Sequence, residues 1–172
     1  MPLLRPTRRA VALGLGALPL APALAHANQS RELTWDDLIP QGVPYAEIVG
    51  QGHYDEVNDI WIPEFDKNGT EVVSDFDGMT VRLPGYITPL EHDADDMVRD
   101  FLFAPFMGAC IHVPPPPPNQ LVHVTTDGPG WPGADIFMAV WVIGTFKANV
   151  AETDLAAVGY EMRADAIEVY EW

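Results

Sequence analysis

The sequence predicts a mainly β protein, a small OB-like Greek-key barrel with a short N-terminal helix and one or two minor helices; an open sandwich is the second architecture. Three observations lead there. Five or six short apolar or alternating runs are separated by turn residues, one small helical stretch precedes the last run, and no repeat of solenoid or propeller length is present. With 172 residues the chain makes one domain, two at most. It divides into an export signal over 1–27, an N-terminal helix and hairpin extension over 28–74, and the barrel-like domain over 75–172.

The elements follow in order. Arg5, Arg8 and Arg9 form a positive start, residues 10–24 are apolar, and Ala25-His26-Ala27 gives a small-x-small cleavage pattern. The apolar run is too short, and too interrupted by Pro19 and Pro22, to read as an anchor. With no cysteine beside the cleavage site, no lipid anchor is expected, and the mature chain should lack a stable membrane anchor. Thr7-Arg8-Arg9-Ala10-Val11 partly matches a twin-arginine signal, with ordinary Sec export the alternative. Either route predicts the periplasm or beyond.

In the extension, Thr34 can cap a helix that has Asp36 and Asp37 in its first turn, and Pro40 and Gly42 stop it within two turns. Ile60-Trp61-Ile62 and residues 70–73 flank Lys67-Asn68-Gly69, and Asn-Gly predicts a hairpin turn, with Pro63 placing its first strand at an edge. Next come strands over 79–83 and 86–90, bent apart by Pro84-Gly85, then an acidic turn or loop over 91–100. Further strands are expected at 101–104, 109–113, 121–124 and 137–146, then a short helix over 150–158 and a last strand within 160–170.

Charge narrows the functional classes. Removing the signal leaves six basic residues against 25 acidic ones, a formal net charge of −19 for the mature chain. Such a chain repels phosphate backbones and anionic lipid, so no nucleic-acid binding is expected even of an OB-like barrel. The charge reads as a solvated acidic shell or as attraction for cations or a basic partner. The single cysteine excludes an internal disulfide and a Cys-rich zinc site.

Residues 108–120, Gly-Ala-Cys-Ile-His-Val followed by five prolines, Asn and Gln, form the most distinctive string. Together with Asp77-Gly78, Val81-Arg82-Leu83-Pro84-Gly85-Tyr86, Pro89-Leu90-Glu91 and Val140-Trp141-Val142-Ile143-Gly144-Thr145, it resembles the bacterial family called domain of unknown function 3299. Leu33-Thr34-Trp35 and Leu38-Ile39-Pro40 resemble that family's opening helix, while residues 47–73 match least. The resemblance implies an exported protein without an established activity, from a family whose genes often neighbour those of ABC-type transport components, sometimes in metal-related settings.

Cys110 and His112 lie two apart on an expected strand and so share a face. A thiolate beside an imidazole suits zinc or copper, with further ligands from His123, Glu91 or His92. The alternatives are a buried core cysteine beside a structural histidine, or a thiol activated for catalysis, for which no resolving cysteine or family-specific nucleophile signature is present.

Pro114, Pro115, Pro116, Pro117 and Pro118 are either a binding loop for a partner or a stiff connector, with Asn119 and Gln120 hydrogen-bonding the loop. Asp75-Phe76-Asp77-Gly78 begins like a calcium loop but lacks the closing glutamate, and Asp93, Asp95 and Asp96 read as a solvated charge run. Trp131, Phe137, Trp141 and Phe146 read as core or loop anchors. Two functions compete: an accessory protein binding a transition metal for an ABC-type system, and a metal-free module docking on an envelope complex. A thiol-dependent enzyme comes third.

Overall fold

The computed structural model describes residues 30–110 and 113–171. The predicted export signal, the cleavage site near Ala27 and His112 lie outside the described residues. The protein is mainly β, and no helix among the described residues exceeds four residues. None is long and apolar enough to cross a membrane.

Among the described residues ten strands carry the fold: β1 (Arg31–Glu32), β2 (His53–Asp55), β3 (Ile60–Ile62), β4 (Thr80–Glu91), β5 (Met97–Val98), β6 (Asp100–Ala104), β7 (Val122–Thr125), β8 (Trp131–Pro132), β9 (Val140–Glu152) and β10 (Ala157–Val169). Six of them form one sheet in the order β1-β4-β6-β7-β10-β9, and β4 also pairs with β9. The pairings therefore lead from β4 through β6, β7, β10 and β9 back to β4. All are antiparallel except β7 with β10, and β1 adds parallel to β4.

β4 makes this circuit possible. Its residues 80–85 pair with β9 and its residues 86–91 pair with β6. Pro84-Gly85, expected to separate two strands, is instead where one twelve-residue strand changes neighbours. A Cβ on Gly85 would meet the Ala104 carbonyl oxygen at 2.6 Å and the Phe103 ring at 2.9 Å, so the strand passes there only without a side chain.

Period-two alternation sends Val81, Leu83 and Ile87 of β4 inward, where they meet Phe101 and Phe103 of β6, Val122 and Val124 of β7, Val142 and Phe146 of β9, and Tyr160 and Met162 of β10. Burying each large side chain contributes roughly 1.5–3 kcal/mol. Phe146 stacks on Tyr160 with ring centroids 5.0 Å apart. The Tyr160 hydroxyl donates to the Leu38 carbonyl at 2.6 Å and accepts the Val73 N–H at 2.8 Å, fastening both ends of the segment 38–73 to the main sheet.

Several local expectations are corrected. The opening helix is a single 3-10 turn, Trp35–Leu38, whose Asp37 carboxylate accepts from the Thr34 N–H and hydroxyl, each at 2.7 Å. The Asn68-Gly69 hairpin does not form. Asp66 accepts the Asn68 N–H at 3.0 Å and caps a 3-10 turn, Lys67–Thr70, while β3 pairs backwards with β2. The real hairpin turns over 55–59, where the Asp55 carboxylate holds the Val57 and Asn58 N–H groups and Asp59 takes positive φ.

The helix expected over 150–158 is a strand-turn-strand: β9 runs to Glu152, and the Thr153 hydroxyl accepts the Ala156 N–H at 3.1 Å inside the turn to β10. Phe137, expected as an anchor, is 56% exposed ahead of β9, whereas Trp131 and Phe146 are buried.

Candidate functional site

Between β6 and β7 the chain takes a long detour over 105–121 and covers the outer face of those strands. Leu102, Ala104 and Leu121 point outward into a second apolar cluster with Ala109, Cys110, Ala156 and Val158. The Thr88 hydroxyl donates to the Ala109 carbonyl at 2.8 Å and pins the detour down.

Cys110 does not lie on a strand, which corrects the expectation for 109–113. It takes φ +64°, its N–H donates to the Val113 carbonyl at 2.9 Å, and the Val113 N–H returns to the Gly108 carbonyl at 3.1 Å. Cys110 itself is therefore left-handed rather than extended, so strand alternation no longer argues that it shares a face with His112, which lies outside the described residues. Cys110 is 3% exposed, and burial pushes its thiol up to about 12. Metal binding and nucleophilic attack both need the thiolate, and this environment favours the protonated form.

His123 and His92, proposed as further ligands, each have a carboxylate neighbour of their own. His123 Nε2 sits 2.7 Å from Asp100 across β6 and β7. His92 Nδ1 sits 2.8 Å from Asp96 in the loop after β4, and Glu91 ends β4 exposed to solvent. Among the described residues no three or more His, Cys, Asp and Glu side chains converge in a way that could hold a metal.

The proline run fares differently. Pro115, Pro116 and Pro117 are buried, and Pro118 opens a 3-10 turn with Asn119 and Gln120. Proline removes backbone donors and fixes φ, so this stretch keeps its extended course without a ladder. Its far end is held by buried amides. Asn119 donates to the carbonyls of Asn68 (2.8 Å) and Glu71 (3.1 Å), and Gln120 donates to the Trp35 carbonyl at 3.0 Å. Asn119 and Gln120 thus bond to the N-terminal extension rather than to their own loop alone.

Beside the prolines stands an arm formed by residues 45–66. β2 and β3 pair at its tip, and the bridge Ile48–Phe65 continues the pairing towards its base. The arm is tied at the tip, where Asn58 donates to the Asp154 carbonyl at 3.0 Å, and at the base through Gly69, where a Cβ would lie 3.2 Å from Pro117. Trp61 is oriented by its indole N–H, which donates to the Gln51 carbonyl at 2.9 Å.

Between arm and detour lies an open groove of about 570 Å³. Tyr45, Ile48, Trp61, Pro63 and Phe65 form one wall, and Phe106, Val113, Pro114, Pro115, Pro116 and Pro117 form the other. Tyr45, Ile48 and Val113 are 52%, 56% and 43% exposed, so the apolar surface faces solvent. Glu47 is the one acidic side chain among the lining residues. The groove has the character of a recognition surface: rigid rings and prolines that lose little entropy on contact, with one charge at the edge. Its Pro114–Pro117 side belongs to the run that the sequence offered as either a binding loop or a connector. Most of the aromatic wall fell in the stretch 47–73 that had matched least, and the signal missed there was Trp61 and Phe65 on either side of Pro63.

These features define a mainly β protein with a solvent-facing aromatic and proline groove and a buried cysteine. The chain belongs to the family described as protein of unknown function (DUF3299), whose model matches residues 35–169 and so includes the arm. It is similar to a solved DUF3299 family protein from Pseudomonas aeruginosa PAO1, with 39% sequence identity over 83% of this chain and 97% of that one and a TM-score of 0.67. No curated protein matches it.

Proposed function

We propose that this is an exported, non-enzymatic interaction module in which an OB-like barrel carries a docking groove for an extended apolar segment of an envelope protein. The barrel reading is supported by the circuit of pairings and by its single parallel pair, β7 with β10. In that reading the five strands of the circuit are the rigid body, and the arm and proline detour are the functional additions. The export reading is supported by the basic, apolar and small-x-small succession over residues 1–27.

One observation carries the docking reading: exposed apolar side chains line a groove both of whose walls are stiffened, one by consecutive prolines and the other by a hairpin tied at both ends. A wall that is already ordered gives up little entropy when a partner lies against it. The alternative, a zinc or copper site on Cys110, His112, His123, Glu91 or His92, draws no support from the surroundings of Cys110. A component of an ABC-type transport system is the first partner to try, as the family resemblance implies.

The test is photo-crosslinking in the intact cell. A benzophenone amino acid replaces Tyr45 in one strain and the exposed Phe137, away from the groove, in another. Position 45 should yield adducts that mass spectrometry maps to one apolar stretch of one envelope protein, and position 137 should not. Adducts of equal yield and identity from both positions, or none from position 45, would overturn the docking reading.

A further inference from the structure

We infer that the segment received by the groove has its apolar residues flanked by lysine or arginine; the inference rests on the docking reading above and adds the chemistry of the occupant. It comes from the distribution of charge between the two walls. The detour over 105–117 contains no Asp, Glu, Lys or Arg. The opposite stretch, 45–71, contains seven acidic residues and one basic residue, Lys67. Of the seven, Glu47 lines the groove, while the Asp55 and Asp66 carboxylates are taken up by the turns they cap. Glu56, Asp59, Glu64 and Glu71 are exposed.

An apolar groove with one carboxylate in its lining, on a stretch that exposes four more, selects against three other occupants. A second copy of this chain would bring its own charge of −16, or −19 without the signal, against the same acidic arm. Anionic lipid and acidic peptides meet the same repulsion. A peptide with cationic flanks gains from every carboxylate within a Debye length of about 8 Å, and the apolar middle supplies the contact area. Exposed pairs contribute about 0.2–1 kcal/mol each, so two or three of them give about a tenfold preference.

The experiment measures fluorescence anisotropy of three labelled peptides against the full-length chain. All share a Leu-Val-Ile-Leu centre, flanked by two lysines, two glutamines or two glutamates on each side. In about 50 mM salt the lysine-flanked peptide should bind about tenfold more tightly than the glutamine-flanked one, and the glutamate-flanked one most weakly. Raising salt to about 0.5 M should shrink that spread to about threefold or less. Glu47→Lys should cut the lysine preference by at least about threefold, while the exposed-site change Ile48→Asp weakens all three peptides.

Equal binding of the lysine and glutamine peptides by the wild type, with loss in Ile48→Asp, would overturn the charge inference and leave the docking reading standing. A lysine preference indifferent to Glu47→Lys would also overturn it, by assigning the effect to the general acidic shell. Binding of no peptide, or equal binding by Ile48→Asp and wild type, would overturn the docking reading itself. Self-association abolished by Ile48→Asp, without peptide binding, would make a second copy the occupant and overturn both.

Discussion

Cys110 is 3% exposed among leucine, alanine and valine side chains. That burial disfavours a thiolate and pushes the thiol up to about 12. Tyr160 shares this property: burial, the first cause, raises its hydroxyl to about 12 against the Val73 N–H, which favours the anion. Both groups ionise more readily in the unfolded chain. Their contribution is therefore intact below the unfolded values of about 9 and 10 and is lost as pH rises towards about 12. Urea midpoints should be unaffected by these two groups at neutral pH and should fall across that alkaline window. A midpoint that rose there would contradict the burial account.

Thiol labelling at pH 8 should proceed only as fast as the fold opens, and Tyr160→Phe should cost about 2–3 kcal/mol in urea unfolding by leaving the Leu38 carbonyl and Val73 N–H without their partner. A cost near zero would mean that water replaces the hydroxyl. From sequence alone Cys110 looked like a ligand because a strand over 109–113 would put it on one face with His112. Its positive φ, unusual for any residue but glycine, carries no sequence signal at a cysteine.

Among the elements, strands were legible wherever an apolar face was sustained along the run. β4, β6, β7 and β10 all overlap their expected positions, because Val81, Leu83, Phe101, Phe103, Val122 and Met162 mark one buried face. Two failures share a cause: local propensity yielded to tertiary contact. Asn68-Gly69 has the composition of a hairpin turn, yet Asp66 captures the Asn68 N–H and Gly69 is spent on close approach to Phe65 and Pro117. Pro84-Gly85 has the composition of a break, yet the strand needs a position without a side chain in order to pass from β9 to β6.

This yields a prediction for the element. Gly85→Ala should destabilise by about 1–3 kcal/mol, because the Ala104 carbonyl and Phe103 ring would have to move, whereas Gly78→Ala has open space and pays only for its positive φ. Equal costs at both sites, measured by urea unfolding, would contradict the crossover role. For the arm, Asn58→Ala removes the bond to the Asp154 carbonyl and should speed amide exchange across 53–62 with little change in global stability.

For the molecule as a whole, composition foretold the acidic surface and the β class, and it foretold the proline run as either connector or binding loop. In the structure the run serves as a connector: three of its prolines are buried, and Asn119 and Gln120 anchor its end. We assign it the second role through the groove wall it forms. That wall could not be read from the sequence, because its partner surface comes from residues some fifty to seventy positions earlier, brought alongside by the arm's ties at Asn58 and Gly69.

The most direct measurement is methyl NMR of the full-length chain during titration with the neutral, glutamine-flanked apolar peptide. The Ile48, Ala46 and Val113 methyls, which line the groove, should shift together and saturate with one affinity, while those of Val124 and Val142 inside the sheet stay put. Saturable shifts at some other surface with the groove methyls unmoved, or no saturable shift anywhere, would contradict the account.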